Sequence, residues 1–254
     1  MSFRETMLSG RMLAGTFVKT PSIEIIELLS LAGLDFICLD AEHAPFDRGR
    51  MDQCLAMARA LKLPALVRVG AGTPQDILQA LDSGATGIVV PHVDTVQKAE
   101  EMARAARFGL GGRGYAGSTR WAEFTTQGME ELLAASREET VVIAQIEEPS
   151  GVVAADQIAA VAGIDGLFLG PADLSVGYGR SDQSSAELFA ALESVGRAAQ
   201  AQQKAYMTFV PNAARAAEWA KYGLTMFFVA SEQSWIIQGA AAEVRGIHDL
   251  REDS

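Results

Sequence analysis

Eight short apolar runs recur along the chain, each separated from the next by a helical stretch. The runs fall at 13–18, 35–40, 65–69, 87–92, 141–147, 166–170, 205–210 and 226–230. Amphipathic helices are predicted near 22–32, 48–61, 74–83, 96–108, 129–137, 151–162, 186–202, 212–222 and 234–250. Strict alternation implies parallel strands joined by right-handed crossovers. Eight repeats favour closure into a (β/α)8 TIM barrel over an open sheet, and 254 residues suits one. No Gly-x-Gly-x-x-Gly follows the first run, which argues against a dinucleotide-binding sheet. Helix punctuation agrees: Thr20-Pro21-Ser22, Thr73-Pro74 and Pro211-Asn212 start helices, and Gly33, Gly84, Gly163 and Gly223 end them. The expectation is a single catalytic domain over 1–254.

Composition removes several function classes. A formal net charge of −11 argues against nucleic acid or an anionic membrane as partner. No run approaches the roughly 20 apolar residues of a membrane span, and the first residues, MSFRETMLSGRML, lack the apolar core of a secretory signal. Cys38 and Cys54 have no ligand-like spacing and read as reduced, buried thiols. A cytoplasmic protein acting on small molecules is expected.

In such barrels the C-terminal ends of the strands build the active site. Applied here, that rule delivers Asp40, Glu42 and His43 from the second strand, Arg68 from the third and His92 from the fourth. Gln145, Glu147 and Glu148 come from the fifth, Asp173 and Ser175 from the sixth, Ser231 and Glu232 from the eighth. Glu147 and Asp173, oxygen donors at the ends of two buried strands, point to a hard divalent cation. The alternative is ordinary solvated acids at strand ends that cap the helices that follow. Glu148 is expected to face away by strand alternation and to bind nothing. His43 reads as a general base oriented by Asp40, or as a surface-loop histidine. His92 is the weaker candidate, readable as a strand end capping the next helix. Arg68, ending an apolar strand, needs an anionic partner: a substrate oxygen, or a structural pair with Glu42 or Glu147. Asp82 ends a helix on the wrong side of the barrel. It is either a surface acid or a group offered to a neighbouring subunit. The segment 109–127, rich in Gly, Arg and aromatics, breaks the rhythm and reads as a lid or subunit contact. Lys19, Lys62 and Lys204 are read as lying away from the strand ends, which disfavours a Schiff-base mechanism.

The motifs GTFVKTPSIEIIELLSLAGLDFICLDAEHAPFD, LVRV, LDSGATGIVVPHVD, AQIEEPSG and FLGPADLS, in order from Gly15 to Ser175, together resemble a known family. It is the metal-dependent (class II) pyruvate aldolases of the 4-hydroxy-2-oxoheptanedioate / 2-dehydro-3-deoxyglucarate aldolase type. The resemblance implies Mg2+, Mn2+ or Co2+ on Glu147 and Asp173, with pyruvate or hydroxypyruvate as the enolate donor to an aldehyde. It implies Gln145, Gly170, Pro171 and Ala172 at the 2-oxoacid site, Arg68 on the enolate, and His43 with Asp40 handling protons. It further implies a homo-hexamer, a trimer of dimers that exchange the C-terminal helix, with Asp82 supplied across the interface. Tyr115, Arg120 and Trp121 depart from the family's dicarboxylate-processing members and are expected to shape the acceptor site. A barrel lyase acting on oxaloacetate, as a decarboxylase, or on an acyl-CoA ester is the alternative reading.

Overall fold

The computed structural model describes residues 1–250. Eight parallel strands, β1 (Leu13–Val18), β2 (Phe36–Asp40), β3 (Ala65–Arg68), β4 (Gly87–Val90), β5 (Val141–Ile146), β6 (Gly166–Leu169), β7 (Ala205–Val210) and β8 (Met226–Ser231), close into a barrel in chain order. The helices between them include α2 (Ile23–Leu31), α3 (Arg48–Ala60), α4 (Pro74–Asp82), α5 (Val96–Ala105), α6 (Met129–Glu138), α10 (Ala186–Ala201) and α11 (Ala213–Trp219). The (β/α)8 expectation is met, and the strand bounds differ from the reading by at most two residues.

The pleat explains the interior. Phe36 and Cys38 on β2, Leu66 on β3, Val141 and Ile143 on β5, Phe168 on β6 and Phe228 on β8 pack together inside. Alternation puts Asp40, Arg68 and Gln145 next on the same inward face, one layer closer to the C-terminal mouth. Gly15 on β1 is required here: a Cβ would lie 2.5 Å from the Phe36 ring. A second apolar layer, with Val67, Ile88, Ile146 and Leu169 facing out, joins the strands to the helices.

Three elements were not foreseen. Residues before β1 form α1 (Phe3–Leu8), which closes the foot of the barrel: Met7 is buried and the Phe3 ring lies 5.9 Å from Phe36. Its polar residues mask this role in the sequence. The stretch read as one helix at 151–162 is two, α7 (Pro149–Val153) and α8 (Ala155–Ala160). Gly170-Pro171 is a helix start, with Pro171 at the first position of α9 (Pro171–Gly177). The chain then ends its described part in α12 (Glu232–Asp249). Only Glu232 of α12 is buried, while Ile236, Ile237, Val244 and Ile247 are exposed. No described helix is long and apolar enough to cross a membrane.

The 109–127 segment, with a single 3-10 turn at Glu123–Thr125, does not cover the mouth of its own barrel. It packs along the flank made by α3 and α4. Arg120 forms a two-pronged pair with Asp52 at 2.7 and 3.0 Å, and Arg59 pairs with Glu123.

Candidate active site

Strand register sets the first pair. Asp40 and Arg68 are direct neighbours across β2 and β3, so their inward side chains meet. Arg68 donates from Nε to Asp40 Oδ1 at 3.0 Å and from Nη2 to Oδ2 at 2.7 Å, and its Nη1 lies 3.2 Å from Glu42 Oε2. The guanidinium also stacks over the Phe17 ring at 4.4 Å, which fixes its plane. Burial alone would push the Asp40 carboxyl up. The Arg68 hydrogen bonds and charge, the His43 backbone N–H and the Lys19 ammonium outweigh it and hold the group below the ordinary carboxylate value.

Glu147 continues the inward face just past β5. It is 3% exposed. It accepts a hydrogen bond from Gln145 Nε2 and one from the His92 backbone N–H at 2.8 Å. Burial pushes its pKa above the ordinary glutamate value, with the nearby Asp173 charge pushing the same way. Gln145 Oε1 is buried without a hydrogen-bond partner. Gly170 leaves the space beside this acid open: a Cβ there would come 2.8 Å from Glu147 Cβ and 3.0 Å from Oε2.

His92 binds this half of the site to the other. Its Nδ1 lies 3.2 Å from Glu147 Oε1 and 2.6 Å from Glu148 Oε1, and its Nε2 lies 3.4 Å from Glu42 Oε1. Burial opposes its charge, but the hydrogen bond to Glu148 and the charges of Glu147, Glu148 and Glu42 hold its pKa above the ordinary histidine value. Glu42, His92 and Glu147 each offer a ligand atom, all within 4.8 Å of one another, so the mouth can hold a metal ion. Asp173, exposed in the first turn of α9, is not one of these three.

Several readings need correction. Glu148 does not stand idle: β5 ends at Ile146, strand alternation stops there, and Glu148, at the residue before α7, turns its side chain onto His92 instead of capping the helix. His92 is not a helix cap; Thr95 caps α5, and His92 holds a left-handed backbone, φ 56°, that turns its ring over the acids. Asp40 does not orient the His43 ring. It accepts the His43 backbone N–H at 3.1 Å, and the carboxylate near the ring is Glu42, 3.7 Å from Nε2. Lys19 is a strand-end residue after all. It directly follows β1, and its Nζ lies 3.4 Å from Asp40 Oδ2. The signal for it was present, since the run at 13–18 ends one residue earlier.

Other candidates lie as follows. Pro171 is buried and Ala172 exposed where β6 turns into α9, with the Gly170 N–H donated to the Ile146 carbonyl at 2.9 Å. Asp82, at the end of α4, is far from this group. It pairs with the buried Arg113, whose guanidinium lies over the rings of both Phe108 and Trp121. Tyr115, Arg120 and Trp121 stay on the same flank and do not reach the mouth of their own chain.

The family model described as HpcH/HpaI aldolase/citrate lyase matches residues 13–238. The chain is 32% identical over 196 residues to the hydroxypyruvate/pyruvate aldolase of Roseovarius nubinhibens, which covers 76% of this chain and 75% of that one. It is 33% identical over 209 residues to the 5-keto-4-deoxy-D-glucarate aldolase of Shigella sonnei, covering 81% and 80%. The crystal structure of an HpcH/HpaI aldolase/citrate lyase family protein from Burkholderia cenocepacia J2315 matches with a TM-score of 0.91 at 30% identity. That match covers 96% of this chain and 98% of the other.

Proposed function

The chain belongs to the HpcH/HpaI aldolase/citrate lyase family and is an aldolase, a carbon–carbon lyase, and on that premise we propose that it makes and cleaves 4-hydroxy-2-oxoacids. Pyruvate or hydroxypyruvate is the donor and an aldehyde the acceptor. The observation that carries this reading is the linkage of a fixed cation, Arg68, to a buried acid, Glu147, through Glu42 and His92 at one barrel mouth. Aldolase names on relatives that cover three quarters or more of the chain favour it over the oxaloacetate and acyl-CoA alternatives.

The donor set fits a divalent cation. Glu147 is a buried carboxylate whose charged form is disfavoured, Gln145 Oε1 lacks a partner beside it, and no side chain at Gly170 fills the space. Glu147 and Asp173 would hold Mg2+, Mn2+ or Co2+ through oxygen ligands. When bound, such a cation supplies positive charge toward the carboxylate and keto oxygens of a chelating 2-oxoacid, which acidifies the neighbouring carbon.

The chain's own groups complete the chemistry. Arg68 has its Nε and Nη2 committed to Asp40, so the guanidinium is oriented before substrate arrives and donates to the oxygen where negative charge develops. Loss of one such preorganised donor costs roughly 100- to 1,000-fold in rate in other enzymes. His43, its ring exposed at the mouth beside Glu42, takes and returns the proton of the donor carbon. Gln145 and the 170–172 backbone line the 2-oxoacid. Asp82 serves a neighbouring copy in a homo-hexamer, a trimer of dimers exchanging α12, whose exposed apolar residues support such packing. The free, buried thiols Cys38 and Cys54 support a cytoplasmic setting.

The test is exchange of the pyruvate methyl protons for deuterium, followed by NMR without any aldehyde. Exchange is expected with Mg2+ or Mn2+, and loss of exchange with EDTA or in Glu147→Gln. Equal exchange in the presence of EDTA would refute the metal-assisted reading, and no exchange from either pyruvate or hydroxypyruvate would refute the donor.

A further inference from the structure

The proposed chemistry takes Asp82 from a neighbouring copy and leaves Arg113 without a task, yet the two residues are built together. Asp82 is the last residue of α4, where a carboxylate faces the negative end of the helix dipole. Its side chain is only 14% exposed, so the charge also loses most of its water. Arg113 offsets both costs. It donates to Asp82 Oδ1 alone, from Nε at 3.1 Å and from Nη2 at 2.5 Å. Among the described residues, Oδ2 accepts no hydrogen bond.

Arg113 in turn has little freedom. Its side chain is fully buried, and its guanidinium lies 4.6 Å from the centre of the Phe108 ring and 4.9 Å from that of Trp121. Its backbone N–H is donated to the Arg107 carbonyl at 2.8 Å. The Trp121 N–H adds a hydrogen bond to the Asp82 carbonyl at 3.3 Å, so the 109–127 segment grips both the backbone and the side chain at this helix end. Other arginines of this flank are committed elsewhere: Arg107 to Asp165 and the Thr140 carbonyl, Arg120 to Asp52. For stability alone the pair is a poor device. Arg113 Nη1 is buried without a partner, and a buried ion pair often stabilises no better than apolar packing of the same volume. What the arrangement does achieve is direction: one carboxylate oxygen is held and the other is left for a group outside this chain.

We propose that Arg113 is a positioning residue, which holds Asp82 by Oδ1 so that Oδ2 is presented to the barrel mouth of a neighbouring copy. This rests on the assignment of Asp82 to that copy made above.

The rate to follow is aldol addition of pyruvate to glycolaldehyde. Arg113→Lys keeps a cation beside the two rings but loses the planar fork. It is expected to assemble like the wild type in native mass spectrometry and to lose about tenfold or more in kcat, as a displaced reacting group does. Its action on a neighbour is read by co-expressing Arg113→Lys with Glu147→Gln, each slow alone. In mixed assemblies a Glu147→Gln chain lends its intact Asp82–Arg113 pair to an Arg113→Lys chain, whose own Glu147 is intact. Random mixing is expected to restore about a quarter of the wild-type sites. Arg113→Lys mixed with Asp82→Asn is expected to stay slow, because both lesions fall in the same donated pair. No recovery in the first mixture, recovery in the second, or a wild-type kcat in Arg113→Lys would each overturn the proposal. If Arg113→Lys does not assemble, Asp82→Asn with and without Arg113→Gln decides: equal rates are expected of a residue acting only through Asp82, and a further loss would overturn it. A full rate in Asp82→Asn would instead defeat the assignment of Asp82. Failure of pyruvate proton exchange in the wild-type enzyme would defeat the aldolase reading, so the failures are told apart.

Discussion

Arg68 keeps a charge under the barrel mouth because strand register brings Asp40 to it, and Asp40 tolerates complete burial for the same reason. Removing one member of a buried pair typically costs about 3–5 kcal/mol, because the other charge is left without compensation. Arg68→Ala is therefore expected to destabilise by about that much in urea unfolding. The sign of the pH dependence follows from Asp40, whose native pKa is held low. Its contribution is present above the ordinary carboxylate range and is lost as pH falls through the native value. Arg68→Ala should abolish that part of the acid sensitivity; an unchanged slope would assign it to other carboxylates. In the sequence, Arg68 at a strand end was legible as a cation needing an anion. Which acid it takes was not, because register between strands is a three-dimensional fact.

At the scale of elements, the β6–α9 junction is shaped by what Gly170 omits. Its φ of −87° suits any residue, so the constraint is space alone. An added Cβ would press on Glu147 at 2.8 Å. Gly170→Ala is expected to fold but to lose the rise in Tm that divalent metal plus pyruvate gives the wild type, read by thermal shift with and without EDTA. A preserved rise would show that Glu147 is not the residue holding the ion. The same junction shows a limit of pattern reading. The sequence reading placed no helix between the sixth run and 186, yet proline at the first helical position starts α9. Alternation likewise misjudged Glu148, because the pleat ends at Ile146 and the turn into α7 sets the next direction.

For the molecule as a whole, α12 is the element that one chain leaves unfinished. Ile236, Ile237, Val244 and Ile247 are 57%, 67%, 50% and 61% exposed, and Leu28 and Leu31 on α2 are 61% and 85% exposed. Exposed aliphatic residues in such number mark an interaction surface. Native mass spectrometry is expected to show a hexamer for the wild type and a smaller assembly for Ile237→Asp combined with Ile247→Asp. A monomeric wild type would remove both the exchanged helix and the assignment of Asp82 to a neighbouring copy.

Local periodicity, an eightfold repeat and polar residues at the ends of apolar runs are properties of the chain read one segment at a time. They were enough to determine the barrel, its mouth and the acids, histidines and arginine that line it, since a strand's pleat and a helix's turn follow from neighbouring residues alone. The partners of those groups were decided only by tertiary structure. Asp40 joins Arg68 by register, His92 reaches three glutamates by a left-handed backbone, and Lys19 is held by Glu232, 213 residues away. Such contacts depend on how the barrel closes, and closure is a property of all eight strands together.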